Sequence, residues 1–183
     1  MNSDLLRPLT LEFLEIVRAW RNSPAVAQYM YTAEPISAEQ QQNWYARTSQ
    51  DPSVHYWLIY YRDRPVGVAN LYAINQRNRS CYWAFYLGEE NLHGSGIGAK
   101  VESAVLEYVF NRLNLNKLAC EVFVTNEKVI AMHEKFGFRR EAYFRQHIYK
   151  DKAFMDVVGL ALLRREWQQL HPAPHSQPVS EKP

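Results

Sequence analysis

The sequence has few of the residues that would indicate a metal site, a disulfide framework or a membrane span. Only two of its 183 residues are cysteines, Cys81 and Cys120, and they form no C-x-x-C pair. Both lie in apolar runs, where cysteine usually acts as a small buried hydrophobic residue, and two such thiols favour a reducing compartment. No apolar run approaches the roughly 18 residues of a transmembrane helix, and the first residues lack the layout of a signal peptide. We therefore predict a cytoplasmic protein that holds no metal and has no membrane partner.

A strong excess of one charge is also lacking. The chain carries 21 basic and 19 acidic residues, which gives a net charge of +2. Such a balance produces no strong field for nucleic acid, so we predict no nucleic-acid partner and expect any bound anion to be held locally. A chain of this length suits one domain that buries about two-thirds of the surface of its unfolded form. We predict a single domain over residues 1–167 and a disordered, proline-rich tail over residues 168–183.

Glycine is scarce, but three of the seven glycines are concentrated in one turn. Gly94, Gly96 and Gly98 follow the aromatic and apolar run 81–87, which predicts a buried strand. An amphipathic helix begins within the turn, because apolar residues recur at spacings of three and four from Ile97 onward. The free N–H groups at a helix start and the positive end of its dipole favour an anion such as phosphate. A flexible connection without a ligand is the alternative interpretation.

Hydrophobic periodicity and turn residues predict a chain that mixes strands and helices. Seven strands are predicted, at residues 5–9, 56–61, 66–73, 81–87, 117–124, 139–148 and 154–163. Four helices are predicted, at residues 11–20, between Ser37 and Asp51, over about four turns from Ile97, and between Asn126 and Gly137. The helix after the glycine turn implies a right-handed parallel crossover between the strands on either side of it. The expected class is therefore α/β, with an α+β mixed sheet of mostly antiparallel strands.

Two motifs resemble those of the GNAT acetyltransferases, and the predicted order of strands and helices is that of the GNAT fold. The run His93-Gly94-Ser95-Gly96-Ile97-Gly98 resembles the acyl-coenzyme A loop Arg/Gln-x-x-Gly-x-Gly/Ala, with His93 in the first place. The run 126–138 resembles the pattern Asn-x-x-Ala-x-x-x-Tyr-x-x-x-Gly-Phe, with Val129 for alanine and His133 for tyrosine. The resemblance implies acetyl-CoA as co-substrate. It implies coenzyme contacts at Tyr86, Leu87, Gly94, Ser95, Gly96, Ile97, Gly98, Ala99, Asn126 and Lys135.

The same resemblance implies direct transfer of acetyl from a thioester to a neutral amine. His133 stands in the position of the family's general acid and would give a proton to the departing thiolate. Backbone N–H groups around Tyr86 and Leu87 would stabilise the developing oxyanion. Glu121 is a candidate relay for the proton of the amine, and an exposed strand carboxylate without a role is the alternative. In a competing interpretation, His133 is only a packed helix residue and Tyr86 or Tyr82 supplies the proton.

A closer resemblance concerns residues outside the coenzyme motifs. The chain is similar to the N-acetyltransferases of pseudaminic acid biosynthesis at Arg21-Asn22, Met30-Tyr31, Ile36-Ser37, Lys150-Asp151-Lys152, Phe154, Asp156 and Val157. Those enzymes acetylate the 4-amino group of a UDP-linked dideoxy amino sugar, on the way to a sugar that decorates flagellin. The implied acceptor contacts are Tyr29, Met30 and Tyr31 for the nucleotide, Arg21 and Gln41 for its polar groups, and Asn70 and Tyr82 for the sugar. The family has a small hydroxyl residue where this chain has Asn70.

Other interpretations stay open at the level of sequence. One is a protein N-terminal acetyltransferase of the ribosomal-protein type, although the aromatic residues 29–31 argue against an open peptide groove. Another is a catalytically inactive module that binds acyl-coenzyme A. The aromatic residues 29–31 are equally compatible with ordinary core packing. A homodimer is compatible with the sequence, which does not fix the oligomeric state.

Overall fold

A seven-stranded sheet runs through the protein in the computed structural model, which describes residues 5–32, 34–92 and 94–171. The strands are β1 (Leu6–Pro8), β2 (His55–Tyr61), β3 (Arg64–Asn75), β4 (Ser80–Leu87), β5 (Lys117–Phe123), β6 (Arg139–Lys150) and β7 (Ala153–Leu163). They lie in the order β1-β2-β3-β4-β5-β7-β6, and every neighbouring pair is antiparallel except β4 and β5. The predicted mixed sheet and the parallel crossover from β4 to β5 are therefore confirmed.

The described residues form six α-helices, so the predicted number of four is wrong. The helices are α1 (Leu14–Asn22), α2 (Pro24–Ala27), α3 (Ala38–Thr48), α4 (Ile97–Glu107), α5 (Glu127–Lys135) and α6 (Arg164–Leu170). The missed helix α2 is short, and it begins because Pro24 presets the first helical φ angle while Ser23 caps the N-terminus. The missed helix α6 follows β7 directly and extends past the predicted end of the domain. The division into domain and tail stays a prediction, and residues 172–183 lie outside the described part.

Helices cover both faces of the sheet. On one face α1 and α3 lie over a smaller core that includes Trp20, Leu58 and Val68. On the other face α4, α5 and α6 lie over a larger core that includes Trp83 and Val101. Because side chains alternate along a strand, neighbouring residues of one strand contribute to opposite faces. We refer to these as the α1 face and the α4 face.

Strands β4 and β5 separate after a short stretch of pairing. Only Ser80–Tyr82 of β4 and Lys117–Ala119 of β5 are paired with each other. Beyond these residues β4 continues to Leu87 and β5 to Phe123, which leaves an opening between them that we call the β4–β5 gap. Main-chain groups along this opening have no partner on the other strand. The gap is therefore the place in the sheet where the backbone can bind a ligand.

The two cysteines are free and buried. Burial raises the pKa of the Cys81 thiol to about 12 and raises the pKa of the Cys120 thiol further above its usual range. Both are therefore protonated at neutral pH and are poor nucleophiles.

Among the described residues, no helix is long and apolar enough to cross a membrane. Within the same residues, no three or more His, Cys, Asp and Glu side chains form a group that could hold a metal ion. The cytoplasmic location stays a prediction.

Candidate active site

The glycine turn before α4 presents backbone N–H groups to its surroundings. Gly94 and Gly96 both have φ +81°, a left-handed conformation that glycine adopts without strain, and Gly96 is the N-cap of α4. Gly96 offers no side chain to cap α4 and no acidic residue stands in its first turn, while Ser95 Oγ accepts from the N–H of Ile97 at 3.4 Å. A Cβ atom on Gly94 or Gly96 would meet no described heavy atom within 4 Å. This open helix start fits a phosphate group. His93, predicted as the first residue of the loop motif, lies outside the described residues.

Gly98 has a different role from the other two glycines of the turn. A Cβ atom on Gly98 would lie 3.3 Å from Met132 Sδ and 3.4 Å from Cζ of Phe85. The absence of a side chain therefore lets α4 pack closely against β4 and α5. Sequence reasoning grouped Gly98 with the ligand-binding glycines and missed this packing role.

The end of β4 directs main-chain groups into the β4–β5 gap. The N–H of Gly88 donates to the carbonyl oxygen of Val66 at 2.8 Å, and Leu87 lies opposite Gly67 in the antiparallel pair of β4 and β3. Main-chain groups of consecutive residues in such a pair point to opposite sides. The N–H of Leu87 consequently points away from β3 and toward the gap, which is where the predicted oxyanion site would need a donor.

His133 is buried and bonded to a carboxylate of another helix. Its side chain is 3% exposed, and its Nδ1 lies 2.8 Å from Oε1 of Glu102, which is fully buried on α4. The adjacent Glu134 accepts instead from Nε of Arg140 at 2.7 Å. Sequence reasoning missed Glu102, which is 31 residues away along the chain. A signal was present, because Glu102 lies four residues after Gly98 on the apolar face of an amphipathic helix.

The packing around His133 places it beside the β4–β5 gap. Its ring centroid lies 5.3 Å from that of Trp83, and Trp83 directly follows the last residue of β4 that is paired with β5. On the other side it lies 5.3 Å from the ring of Phe138. The N–H of Phe138 donates to the carbonyl oxygen of His133 at 3.1 Å, and Gly137 adopts φ +95°, so α5 ends as the sequence predicted.

Glu121 lies on the opposite face of the sheet from His133. The hydroxyl of Tyr31 donates to Oε2 of Glu121 at 2.9 Å, and the Tyr31 ring lies 5.3 Å from that of Phe123. Burial and the hydrogen bond to Glu121 raise the pKa of Tyr31, so its hydroxyl keeps its proton at neutral pH. The neighbouring Cys120 belongs to the core of the α4 face. Strand alternation therefore separates the two predicted proton-transfer residues across the gap.

More aromatic rings line the α1 face next to Glu121 than the sequence had indicated. Tyr72 stacks on Tyr82 with ring centroids 5.5 Å apart, and Tyr82 is 38% exposed. Burial first, and the charge of Glu121 second, raise the pKa of Tyr72. Burial also raises the pKa of Tyr86, against the lowering effect of the nearby Arg21 charge. The phenols of Tyr72 and Tyr86 are therefore neutral at physiological pH and present aromatic surface rather than charge.

The loop of residues 28–36, of which residue 33 is not described, is held by side chains from distant parts of the chain. Nζ of Lys150 donates to the carbonyl oxygens of Ala27 at 2.5 Å, Gln28 at 3.0 Å and Met30 at 2.8 Å. Asn22 binds both the N–H and the carbonyl oxygen of Ile36, at 2.8 and 2.9 Å. We call this segment the 28–36 loop, and its position is fixed by these contacts.

The other predicted contacts are distributed along the same surfaces. Arg21 is half-buried and donates to Oγ1 of Thr32 at 2.8 Å. Of the other predicted acceptor contacts, Tyr29 is exposed, Met30 and Asn70 are half-buried, and Gln41 is 5% exposed on α3. Of the predicted coenzyme contacts on α5, Asn126 is the N-cap without capping through its side chain, and Lys135 is exposed in the last turn. Their roles in binding stay predictions.

Comparison with known proteins agrees with this arrangement. The family described as "Acetyltransferase (GNAT) domain" matches residues 5–139. Acetyltransferase PseH from Campylobacter jejuni is 28% identical over 130 residues, covering 71% of this chain and 79% of the relative. Spermidine N(1)-acetyltransferase from Escherichia coli is 25% identical over 170 residues, covering 92% and 90%. The crystal structure of spermidine N-acetyltransferase from Vibrio cholerae in complex with CoA and spermine has a TM-score of 0.83 at 23% identity and covers 91% of this chain and 99% of that one.

The fold and the open start of α4 beside a gap in the sheet define an acyltransferase of the GNAT type. The chain belongs to the GNAT acetyltransferases, since the family match covers well over half of its length. It is an N-acetyltransferase that uses acetyl-CoA as acyl donor.

Proposed function

We propose that this acetyltransferase transfers acetyl to the 4-amino group of a UDP-linked amino-dideoxy sugar, as in the pathway that makes pseudaminic acid for flagellin. The observation that carries the proposal is the 28–36 loop, which is fixed by Lys150 and Asn22. The loop carries Tyr29 and Tyr31, and its Thr32 accepts from the half-buried Arg21. Rigid aromatic rings next to a cation suit a planar base linked to a diphosphate.

Acetyl-CoA supplies the reactive thioester, and the residues of this chain hold and orient the two reactants. The N–H groups at the start of α4 would bind the pyrophosphate, and the N–H of Leu87 would bind the thioester oxygen in the β4–β5 gap. His133 would exchange a proton with the leaving sulfur from the α4 face. Glu121, which already accepts from Tyr31, would orient the amine from the α1 face by accepting a hydrogen bond from it.

A polyamine is the second candidate acceptor. The spermidine acetyltransferase of Escherichia coli covers more of this chain than the PseH relative does, and Glu121 could pair with an ammonium group. A polyamine carries several positive charges and would need several carboxylates. In the part of the 28–36 region that the structure describes, the side chains that hold the loop include the cations Arg21 and Lys150, which disfavours such a ligand.

The test is a comparison of kcat/KM for four acceptors with acetyl-CoA. These are a UDP-linked 4-amino sugar, the same sugar without its nucleotide, spermidine, and N-terminal peptides of ribosomal proteins. We expect the nucleotide sugar to be the best substrate and the free sugar to be at least about tenfold poorer, because remote binding energy positions the amine.

The other outcomes separate the remaining functions. A preference for spermidine or for a peptide would contradict the nucleotide-sugar proposal. Equal efficiency with the free sugar would remove the role of Tyr29 and Tyr31 in binding a nucleotide. Acetyl-CoA binding by calorimetry without turnover of any acceptor would support an inactive binding module.

A further inference from the structure

We infer that Glu102 is a positioning residue that, through His133, lets one imidazole accept the proton of the attacking amine and deliver it to the departing sulfur. The inference rests on the proposed function of His133 in proton transfer. It adds a residue of α4 that the coenzyme motifs do not include.

Taking Glu102 as ionised assigns a tautomer to His133. An ionised carboxylate can only accept hydrogen bonds, and Oε1 of Glu102 lies 2.8 Å from Nδ1 of His133. Nδ1 therefore carries the proton and donates it to Glu102. In the neutral ring Nε2 is then left with a free lone pair, which is the arrangement that lets a histidine act as a base and afterwards as an acid.

His133 and Glu102 lie next to the β4–β5 gap, where the inferred proton transfer would take place. His133 packs edge-on against Trp83, and Trp83 and Cys120 are the first residues beyond the last paired residues of β4 and β5. Glu102 is close enough to Cys120 for its charge to raise the pKa of that thiol, after the larger effect of burial. Both members of the pair thus lie along the α4 side of the β4–β5 gap.

The pair is poorly arranged for a purely structural role. Oε2 of Glu102 and Nε1 of Trp83 are buried and have no hydrogen-bond partner among the described residues. Burying a carboxylate costs free energy unless hydrogen bonds satisfy its lone pairs, and one of the two oxygens of Glu102 lacks such a bond within the described part of the chain. A fully buried carboxylate held in this way is more readily explained by a function that needs the charge.

The proton transfers balance without a further reactant. As the amine nitrogen bonds to the acetyl carbon, its N–H bond breaks and the proton goes to Nε2 of His133. As the carbon–sulfur bond breaks, the same proton goes from Nε2 to sulfur. The products are an amide and a thiol, and His133 returns to the tautomer with a proton on Nδ1. Glu102 accepts from Nδ1 throughout and holds the ring.

A double-mutant cycle tests the inference, with acetyl transfer measured on the preferred amine. We expect Glu102→Gln to lower kcat by about 10²-fold, at the lower end of the contribution of general acid–base catalysis. The KM for acetyl-CoA should change by less than about twofold, because Glu102 contacts no ligand. His133→Asn keeps an amide N–H near Glu102 and removes the group at Nε2. In that background Glu102→Gln should change kcat by less than about twofold, since the two residues act as one unit.

Two controls separate a positioning role from a structural one. Glu107→Gln makes the same change at an exposed position of α4 and should leave kcat unchanged. The ¹⁵N shifts of the His133 ring, measured without ligand, should report the Nδ1–H tautomer in the parent and its loss in Glu102→Gln.

Three results would overturn the inference. These are full additivity of the two substitutions, an unchanged kcat in folded Glu102→Gln, or an Nε2–H tautomer in the parent. Because the cycle uses whichever amine is preferred, a preference for spermidine would contradict the proposed function while still testing Glu102.

Discussion

The proposed coenzyme side and the proposed acceptor side of this protein are built in different ways. The coenzyme side consists of the turn at Gly94 and Gly96, the start of α4 and the free edge of β4, so its binding groups are mostly backbone N–H groups. The acceptor side is the 28–36 loop, and its shape depends on side chains such as Lys150 and Asn22. Local sequence specifies the first side, whereas distant contacts assemble the second. Substitutions should therefore act on the two sides independently.

The largest difference between the effects on the two sides is expected for Lys150→Met. The methionine keeps most of the aliphatic length but removes a charge that donates to three carbonyl oxygens. Hydrogen bonds to charged groups contribute about 1.5–3 kcal/mol each, so the 28–36 loop should lose its fixed position. We expect kcat/KM for the acceptor to fall by about 30-fold, or about 2 kcal/mol, with acetyl-CoA affinity unchanged. Steady-state kinetics and calorimetry measure the two quantities.

Lys152→Met is the matched control for this prediction. Lys152 is exposed in the turn between β6 and β7, so the same loss of charge should leave both quantities near the parent values. A parallel loss of acceptor and coenzyme affinity in Lys150→Met would show that the two sides are not independent.

The next largest effect is expected at the glycine turn, where substitutions of two neighbouring glycines should have different results. Gly96→Val forces a branched side chain into φ +81° in the open turn, and we expect the dissociation constant of acetyl-CoA to rise about tenfold or more, which is about 1.4 kcal/mol. Gly98→Ala places a Cβ 3.3 Å from Met132 Sδ, so it should lower the melting temperature. Its effect on the dissociation constant of acetyl-CoA should be smaller than that of Gly96→Val. Calorimetric titration and thermal unfolding of both variants make the comparison. An unchanged affinity in folded Gly96→Val would remove the turn from the coenzyme site.

The smallest effect is expected for Tyr31→Phe. This change keeps the ring against Phe123 and removes only the hydroxyl that donates to Glu121. Because this hydrogen bond to a carboxylate is exposed to solvent, it contributes less than a buried one, about 1 kcal/mol, so kcat/KM for the acceptor should fall by about fivefold or less. Tyr29→Phe, at an exposed position of the same loop, is the control. A loss of a hundredfold or more would mean that Tyr31 takes part in the proton transfer itself.

Sequence reasoning reached the fold and the coenzyme side through local patterns. Apolar, β-branched and aromatic runs bounded by turn residues predicted the strands, and the caps at Ser37 and Gly137 are present in α3 and after α5. The short helix α2 was missed because four residues are too few to show a helical period. The pairing of Glu102 with His133 was also missed, since spacing within one helix does not predict a contact with another. Lys150 was noticed only as part of a resemblance, and its bonds to the 28–36 loop join residues more than a hundred positions apart.

Because of that separation in the sequence, the two sides can be completed at different times during synthesis. All residues of the glycine turn, α4 and α5 have been synthesised before Lys150 is added, whereas the carbonyl groups of Ala27 and Met30 must wait for it. Contacts between residues so far apart in the sequence form late, because the entropic cost of closing a large loop has to be overcome first. The proposed acceptor side is thus completed after the proposed coenzyme side, and a nascent chain that stops before residue 150 lacks the lysine that holds the 28–36 loop.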